Sequence, residues 1–146
     1  MAERILDDVN VVAAGSATTR FDAIREAGAL LVRAGAVRED YVESMFEREA
    51  GVSTYMGNFL AIPHGTNDAK ESIIRSALSF VRYADPIDWG GNPVRFAIGI
   101  AGVNNEHLEI LSRIAVVFSD EGEVQKLIDA GTAEDLFVLL EDVLGV

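Results

Sequence analysis

The sequence predicts a single α/β domain over residues 1–146, and two features carry that prediction. Segments with apolar residues at helical spacing alternate with short apolar runs typical of strands. One of these runs, 94–101, is almost continuously apolar, as expected of a central strand covered by helices on both faces. No repeat, low-complexity tract or Pro/Ser-rich linker divides the chain.

The first part of the chain predicts an edge strand followed by two helices. Residues 10–14 form a short apolar stretch suited to an edge strand. Thr19 and Asp22 then form a capping-box pattern ahead of apolar residues at helical spacing, and Gly35 suits the helix end. The second helix is expected from about residue 39 and places Arg48 in its last turn, where a cation suits the helix dipole. Its apolar face consists of Tyr41, Val42, Met45 and Phe46.

The second part predicts three strands and three helices. The run 59–62 is read as a strand that stops at Pro63, and 76–84 as a strand followed by a turn-rich loop, DPIDWGGNP. In the central strand, one side is expected to present Val94, Phe96, Ile98 and Ile100. A long helix capped by Asn104 or Asn105 comes next, with an apolar stripe of His107, Leu111, Ile114 and Phe118. Two more helices carry apolar residues at 124–128 and 136–143.

Composition and charge exclude several classes of function. The 24 acidic and 12 basic residues give a net charge of −12, which argues against a nucleic-acid partner because phosphate neutralisation dominates that affinity. The acidity either keeps the protein soluble or steers a basic partner, and composition does not separate the two. The chain has no Cys, no secretory signal and no apolar run long enough to insert into a bilayer, so a cytoplasmic protein is expected.

His64 is the first candidate for chemistry. It comes directly after a predicted strand and lies between Pro63, which fixes φ, and Gly65, which lets the backbone turn. Helix-start residues occupy 66–68, so the side chain is expected at the carboxyl edge of the sheet, where α/β folds place their sites. The alternative is a structural or solvated histidine.

His107 and Arg48 are the next candidates, each with a structural alternative. His107 lies in the first turn of its helix, where free N–H groups and the helix dipole favour a phosphate. It shares the inward-facing stripe, so a core histidine bonded to a carbonyl is equally compatible. Arg48 offers a planar guanidinium fork for a phosphoryl group. Alternatively, it pairs with Glu47 and Glu49 at the surface.

Other motifs are weaker. Ser53, Thr54 and Tyr55 carry hydroxyls that could bind phosphate, although a run of three hydroxyl residues is more often a loop or strand edge. Neither GxxxxGK[ST] nor GxGxxG is present, so nucleotide binding through those loops is not indicated. Two histidines without Cys or closely spaced carboxylates make a poor zinc set. Trp89 is expected to be a packing residue.

Three elements together resemble the mannitol/fructose class of sugar phosphotransferase system enzyme IIA domains. The stretch 53–66, STYMGNFLAIPHGT, is similar to the active-site segment of that family, in which the histidine of IPHG is phosphorylated. Arg48 matches an arginine in an ERE context ahead of the strand, and 104–107 match an NNEH sequence that opens a long helix. The resemblance extends from about Thr19 to the C-terminus.

The resemblance implies a mannitol-type enzyme IIA fold, a mixed and mainly parallel sheet flanked by helices on both faces. It also implies a phosphotransferase in which His64 accepts a phosphoryl group from the phosphocarrier protein HPr. A IIB domain then takes the group for delivery to sugar at a membrane-bound IIC permease. His107 and Arg48 would orient His64 and share charge. Apart from the resemblance, Ser53, Thr54 and Asn105 are further candidates for binding phosphate. Neither a cofactor nor a metal is required.

Three functions are compatible with the sequence as hypotheses. The first is sugar transport, for which the STYMGN lead-in favours mannitol or a related polyol over fructose. The second is a regulatory, nitrogen-type IIA-like protein whose phosphorylation state is recognised by a protein partner. The third is a binding module in which both histidines are structural. The resemblance leaves open the exact sugar, the oligomeric state and whether the chain is free-standing or part of a fused permease.

Overall fold

The computed structural model describes residues 5–103 and 106–144. Two helices come after the first strand, and three more come after the last strand. The strands are β1 Leu6–Val12, β2 Tyr55–Gly57, β3 Leu60–Ala61, β4 Ala77–Trp89 and β5 Asn92–Ala101. The α-helices are α1 Arg20–Arg33, α2 Asp40–Gly51, α3 Glu106–Phe118, α4 Glu121–Asp129 and α5 Ala133–Leu144, and a 3₁₀ helix spans Asn67–Ser72.

In the described part of the chain the strands form one mixed sheet of order β1-β4-β5-β3-β2. β1 is parallel to β4, β4 is antiparallel to β5, β5 is parallel to β3, and β3 is antiparallel to β2. The edge strand predicted at 10–14 is present as β1, but it begins earlier, at Leu6, and ends at Val12. The predicted central strand is confirmed as β5. Because β3 and β5 run in the same direction, the chain leaves both strands at the same edge of the sheet.

Helices cover both faces of the sheet, which confirms the α/β class with a flanked, mixed sheet. On one face, α1 and α2 bury Ile24, Leu31 and Met45 against β4 and β5. On the other face, α3, α4 and α5 bury Ile114, Leu127 and Leu136, among others. Each face has its own hydrophobic cluster, so burial of apolar surface fixes both layers against the sheet.

The ends of α1 have the chemistry expected from the sequence. The Thr19 side chain accepts a hydrogen bond of 3.2 Å from the backbone N–H of Asp22, which satisfies one of the free donors of the first turn. At the other end, Gly35 has a φ of +73°, the left-handed conformation that commonly terminates a helix. Both predicted boundaries are confirmed.

The predicted loop DPIDWGGNP is wrong over most of its length. β4 continues to Trp89, and the turn is confined to Gly90 and Gly91, whose φ values are +62° and +97°. Two successive positive φ values define the tight turn that suits the twist of a hairpin. Pro86 is accommodated because the register shifts between Arg82 and Ile87. Trp89 is fully buried, as its predicted packing role requires.

Two further details differ from the sequence prediction. The short strand β2 is absent from that prediction, because Tyr55, Met56 and Gly57 lack a clear alternation of apolar and polar residues. On β5, Phe96, Ile98 and Ile100 share one cluster as predicted, but Val94 packs in the opposite cluster. Val94 pairs with Ile87 just beyond the register shift. Over the described residues, no helix is long and apolar enough to span a bilayer.

Candidate active site

Both histidines lie at the edge of the sheet where β3 and β5 end. His64 forms an isolated parallel bridge with Ile100 near the end of β5, and the Ile100 N–H donates to the Pro63 carbonyl at 3.0 Å. His107 lies in the first turn of α3, the element after β5. The imidazole centroids are 5.3 Å apart. The parallel pairing of β3 and β5 therefore brings together two residues that are 43 positions apart in the sequence.

A cavity of about 330 Å³ opens at this edge. Of the described residues that line it, two carry a positive charge, two are histidines and none is Asp or Glu. This lining contrasts with the strongly acidic composition of the whole chain. A cavity with this charge favours an anion. Its lining consists of Tyr41, Arg48, His64, Gly65, Thr66, Lys70, Ile73, Gly102, His107 and Leu108.

The hydrogen bonding of His64 indicates which ring nitrogen keeps a free lone pair. Nδ1 lies 2.8 Å from the carbonyl oxygen of Ile62. A carbonyl oxygen can only accept, so Nδ1 carries the proton and Nε2 keeps the lone pair in the neutral ring. Burial lowers the pKa of His64, and the Arg48 charge lowers it further, whereas the Ile62 bond and Glu49 act in the opposite direction. The net lowering keeps Nε2 unprotonated at neutral pH.

His107 is half-buried beside His64. Burial is the main cause that lowers the pKa of His107, and the charges of His64 and Lys70 lower it further. Gly102 makes its position possible, because a Cβ there would lie 2.6 Å from both Cα and Cβ of His107. The start of α3 can therefore pack directly against the end of β5. Two neutral imidazoles side by side provide one nucleophile and one neighbouring group able to donate a hydrogen bond.

Arg48 reaches the cavity from the last turn of α2. Its Nη1 donates to the carbonyl oxygen of Val52 at 2.6 Å, which holds the guanidinium against the chain just after the helix. Glu49 is buried and bonds elsewhere, accepting from the Thr54 N–H at 3.0 Å and from Trp89 Nε1 at 3.1 Å. Arg48 and Glu49 therefore bond to different partners, and the surface ion pair that the sequence allowed between them is not formed.

The weaker phosphate candidates do not gather at the cavity. Thr54 is only 4% exposed and its hydroxyl donates to Glu49, so it anchors the start of β2 instead of facing a ligand. Ser53 is exposed, and its hydroxyl accepts from the Tyr55 N–H at 3.2 Å. Neither residue lines the cavity. Asn105 lies outside the described residues.

Tyr41 is a site residue that the sequence prediction assigned only to a helix face. Its hydroxyl donates to the Ile100 carbonyl at 2.8 Å and accepts from the Gly65 N–H at 2.8 Å. It thereby ties the turn after His64 to the end of β5. Gly65 packs so closely on α2 that a Cβ would lie 2.4 Å from the Ser44 hydroxyl. A tyrosine among the apolar positions of a helix gives no signal of this role in the sequence.

Tyr41→Phe should slow phosphorylation of His64, the reaction that the family resemblance implies, about tenfold, and should lower the free energy of unfolding by about 1–3 kcal/mol. The reason is that Gly65 N–H and the Ile100 carbonyl would both lose a partner in a buried setting. Rates measured at saturating donor, together with thermal unfolding, check this. Tyr83→Phe is the matched control, because it removes a buried hydroxyl bonded to Glu26 away from the cavity and should affect stability alone. Equal transfer rates in the two variants would contradict the positioning role of Tyr41.

The fold and cavity define an α/β domain with a half-buried histidine, whose pKa is lowered, in a pocket that favours an anion; such an arrangement suits a phosphohistidine carrier. Residues 4–143 match the family described as phosphoenolpyruvate-dependent sugar phosphotransferase system, EIIA 2, and the chain belongs to that family.

Similar proteins cover nearly the whole chain. A mannitol-specific phosphotransferase enzyme IIA component from Geobacillus stearothermophilus is 49% identical over 98% of this chain and 99% of that protein. One of the same name from Halalkalibacterium halodurans is 46% identical over the same shares. The solved complex of mannitol enzyme IIA with phosphorylated mannitol enzyme IIB from Escherichia coli contains a chain 32% identical to this one. That match has a TM-score of 0.84 and covers 91% of this chain and 94% of that chain.

Proposed function

We propose that this protein is a phosphoryl carrier that accepts phosphate from phospho-HPr on Nε2 of His64 and passes it to a IIB domain. The transfer would serve the uptake and phosphorylation of mannitol or a related polyol. The observation that carries the proposal is that His64, whose Nδ1 lies against a backbone carbonyl, lines one cavity with Arg48, Lys70 and His107. The names of the Geobacillus and Halalkalibacterium relatives support mannitol, and the Escherichia coli complex supports a IIB partner.

The proposed chemistry requires one bond to form as another breaks. The lone pair on His64 Nε2 attacks phosphorus while the bond between phosphorus and the donor breaks, and its electron pair returns to the donor. The Nδ1–H stays hydrogen-bonded to the Ile62 carbonyl, so the ring keeps one orientation throughout. Arg48 and His107 face the oxygens of the transferring group, whose charge is spread in a loose transition state. Passing the group to IIB reverses these steps.

A carrier must retain its phosphoryl group until the next acceptor docks. Hydrolysis is promoted by a carboxylate that activates water, and none of the described residues lining the cavity is one. The cavity instead supplies positioning and charge, which suit transfer between two nitrogen or sulfur nucleophiles. This balance favours a carrier over a phosphatase. We infer a cytoplasmic location from this role, because phospho-HPr would have to reach the site.

The regulatory alternative uses the same chemistry and differs in the fate of the phosphoryl group. A IIA-like switch would accept phosphate on His64 but would not pass it to a IIB domain. The relatives at 46% and 49% identity are both named as mannitol-specific components, which favours transport. A pure binding module would not accept phosphate at all. The three functions therefore separate in two consecutive transfer assays.

Incubation with enzyme I, HPr and labelled phosphoenolpyruvate tests the first transfer, and addition of a mannitol IIB domain tests the second. We expect an acid-labile, base-stable label on the protein that moves to IIB and then to mannitol when IIC membranes are present. Labelling without onward transfer would favour the regulatory function. No labelling by phospho-HPr would reject the carrier function.

Arg48→Lys should keep most of the stability yet reduce the transfer rate about tenfold or more. A lysine retains the charge but cannot reproduce the planar fork that bonds Val52 and still faces the cavity. Transfer rates and thermal midpoints of Arg48→Lys and Arg48→Ala check this. If Arg48 were only a solvated surface residue, both variants would be nearly neutral, since exposed pairs contribute about 0–1 kcal/mol. An unchanged rate in Arg48→Ala would remove it from the site.

A further inference from the structure

Lys70 is a cation at the cavity that none of the proposed transfer steps uses. It lies on the 3₁₀ helix Asn67–Ser72, shortly after His64, and its exposed side chain lines the cavity. Within the described ranges its ammonium has no hydrogen-bond or ion-pair partner. The second lysine of the chain, Lys126, bonds Glu123 at 3.2 Å on α4. Of the two lysines, Lys70 is therefore the one whose ammonium is available to bind an anion.

Asp68 and Glu71 lie near Lys70 on its own 3₁₀ helix, but the cavity that Lys70 lines is short of negative charge. Its chemical neighbours in the cavity include Arg48, His64 and His107, and no carboxylate is among the described lining residues. The positive charge of Lys70 contributes to the lowered pKa of His107, so its field reaches the histidine pair. Because Lys70 is a flexible, hydrated cation beside other positive groups, an anion that enters the cavity can pair with it without breaking an existing ion pair.

We propose that Lys70 is a phosphoryl-binding residue that stabilises the phosphorylated form of His64. The proposal rests on the proposed function, in which a phosphoryl group adds about two negative charges at Nε2. Arg48 is held by the Val52 carbonyl and is a fixed charge. Lys70 supplies a second positive charge on a flexible side chain. Its ammonium binds the phosphoryl oxygens after transfer to His64 and dissociates from them when the next acceptor docks.

A binding role predicts an effect on equilibrium as well as rate. Removing the ammonium should shift the exchange between phospho-HPr and this protein toward phospho-HPr. Because the side chain is exposed, the shift should be modest, about three- to tenfold, and should shrink as ionic strength rises. A residue that only helped the donor to dock would change the rates in both directions equally and leave the equilibrium untouched.

The test measures the equilibrium constant of this exchange for wild type, Lys70→Met, Lys70→Arg and Lys126→Met. We expect a fall of about three- to tenfold for Lys70→Met, a value near wild type for Lys70→Arg, and no change for Lys126→Met. Phosphorus NMR should also show that the phosphoryl group of Lys70→Met protonates at higher pH than that of wild type.

Two results would overturn the proposal, and they are distinguishable. An unchanged equilibrium and an unchanged phosphoryl titration in Lys70→Met, with normal labelling of His64, would reject the role of Lys70 and leave the carrier function intact. Absence of labelling in both wild type and Lys126→Met would reject the carrier function and the role of Lys70 with it.

Discussion

His64→Ala should abolish phosphorylation by phospho-HPr while leaving the fold intact. The substitution removes Nε2, the atom whose lone pair is left free when Nδ1 binds the Ile62 carbonyl at 2.8 Å. His107, although its ring is 5.3 Å away, lies on a different element and should not take over the reaction. Label incorporation measured over hours, together with circular dichroism and thermal unfolding, checks both parts of the expectation.

His64→Asn is the matched second variant, because a side-chain amide can still donate to the Ile62 carbonyl. We expect it to unfold close to the wild-type temperature and to remain unlabelled. Labelling of either variant at the wild-type rate would mean that the phosphoryl acceptor is another residue. If His64→Ala lost the label but His64→Asn kept it, His64 would be needed for structure alone.

The local features of the fold were predictable because they depend on neighbouring residues. Thr19 and Asp22 determine the start of α1, and Gly35 determines its end. The apolar run of β5 was recognisable as a central strand because strands buried on both faces have few polar positions. These signals lie within one element and do not depend on its packing partners.

Features that depend on pairing between distant segments were not predictable in the same way. The true extent of β4 depends on its register with β5, including the shift that places Val94 in the opposite cluster. The orientation of Thr54 depends on Glu49, which also bonds the buried Trp89. A sequence pattern shows that hydroxyls are present near the site but does not show which way they point.

The candidate site shows the same division. His64, His107 and Arg48 were found from their positions at element ends and from the family resemblance, and the structure brings all three to one cavity. Tyr41 and Lys70 were missed, because one looks like an ordinary core position and the other like an ordinary surface charge. Both residues reach the cavity only through the tertiary packing of α2 and the 3₁₀ helix beside the ends of β3 and β5.

His107→Gln should slow acceptance of phosphate by about ten- to a thousandfold, with the label still on His64. A positioned hydrogen-bond partner is typically worth a few kcal/mol in the transition state, and the glutamine amide retains a donor but not the ring that packs beside His64. The start of α3 already packs directly against Gly102, which leaves little room for the helix to move inward and compensate. The fold should tolerate the change, since the side chain is only half-buried, so thermal unfolding separates loss of rate from loss of structure.

Rapid-quench measurement of the single-turnover rate tests the magnitude, and mass spectrometry locates the phosphate. Phosphate on His107 in the wild-type protein would reverse the roles of the two histidines. A wild-type rate in His107→Gln would mean that His107 takes no part in the transfer, which would then depend on His64 and its charged neighbours.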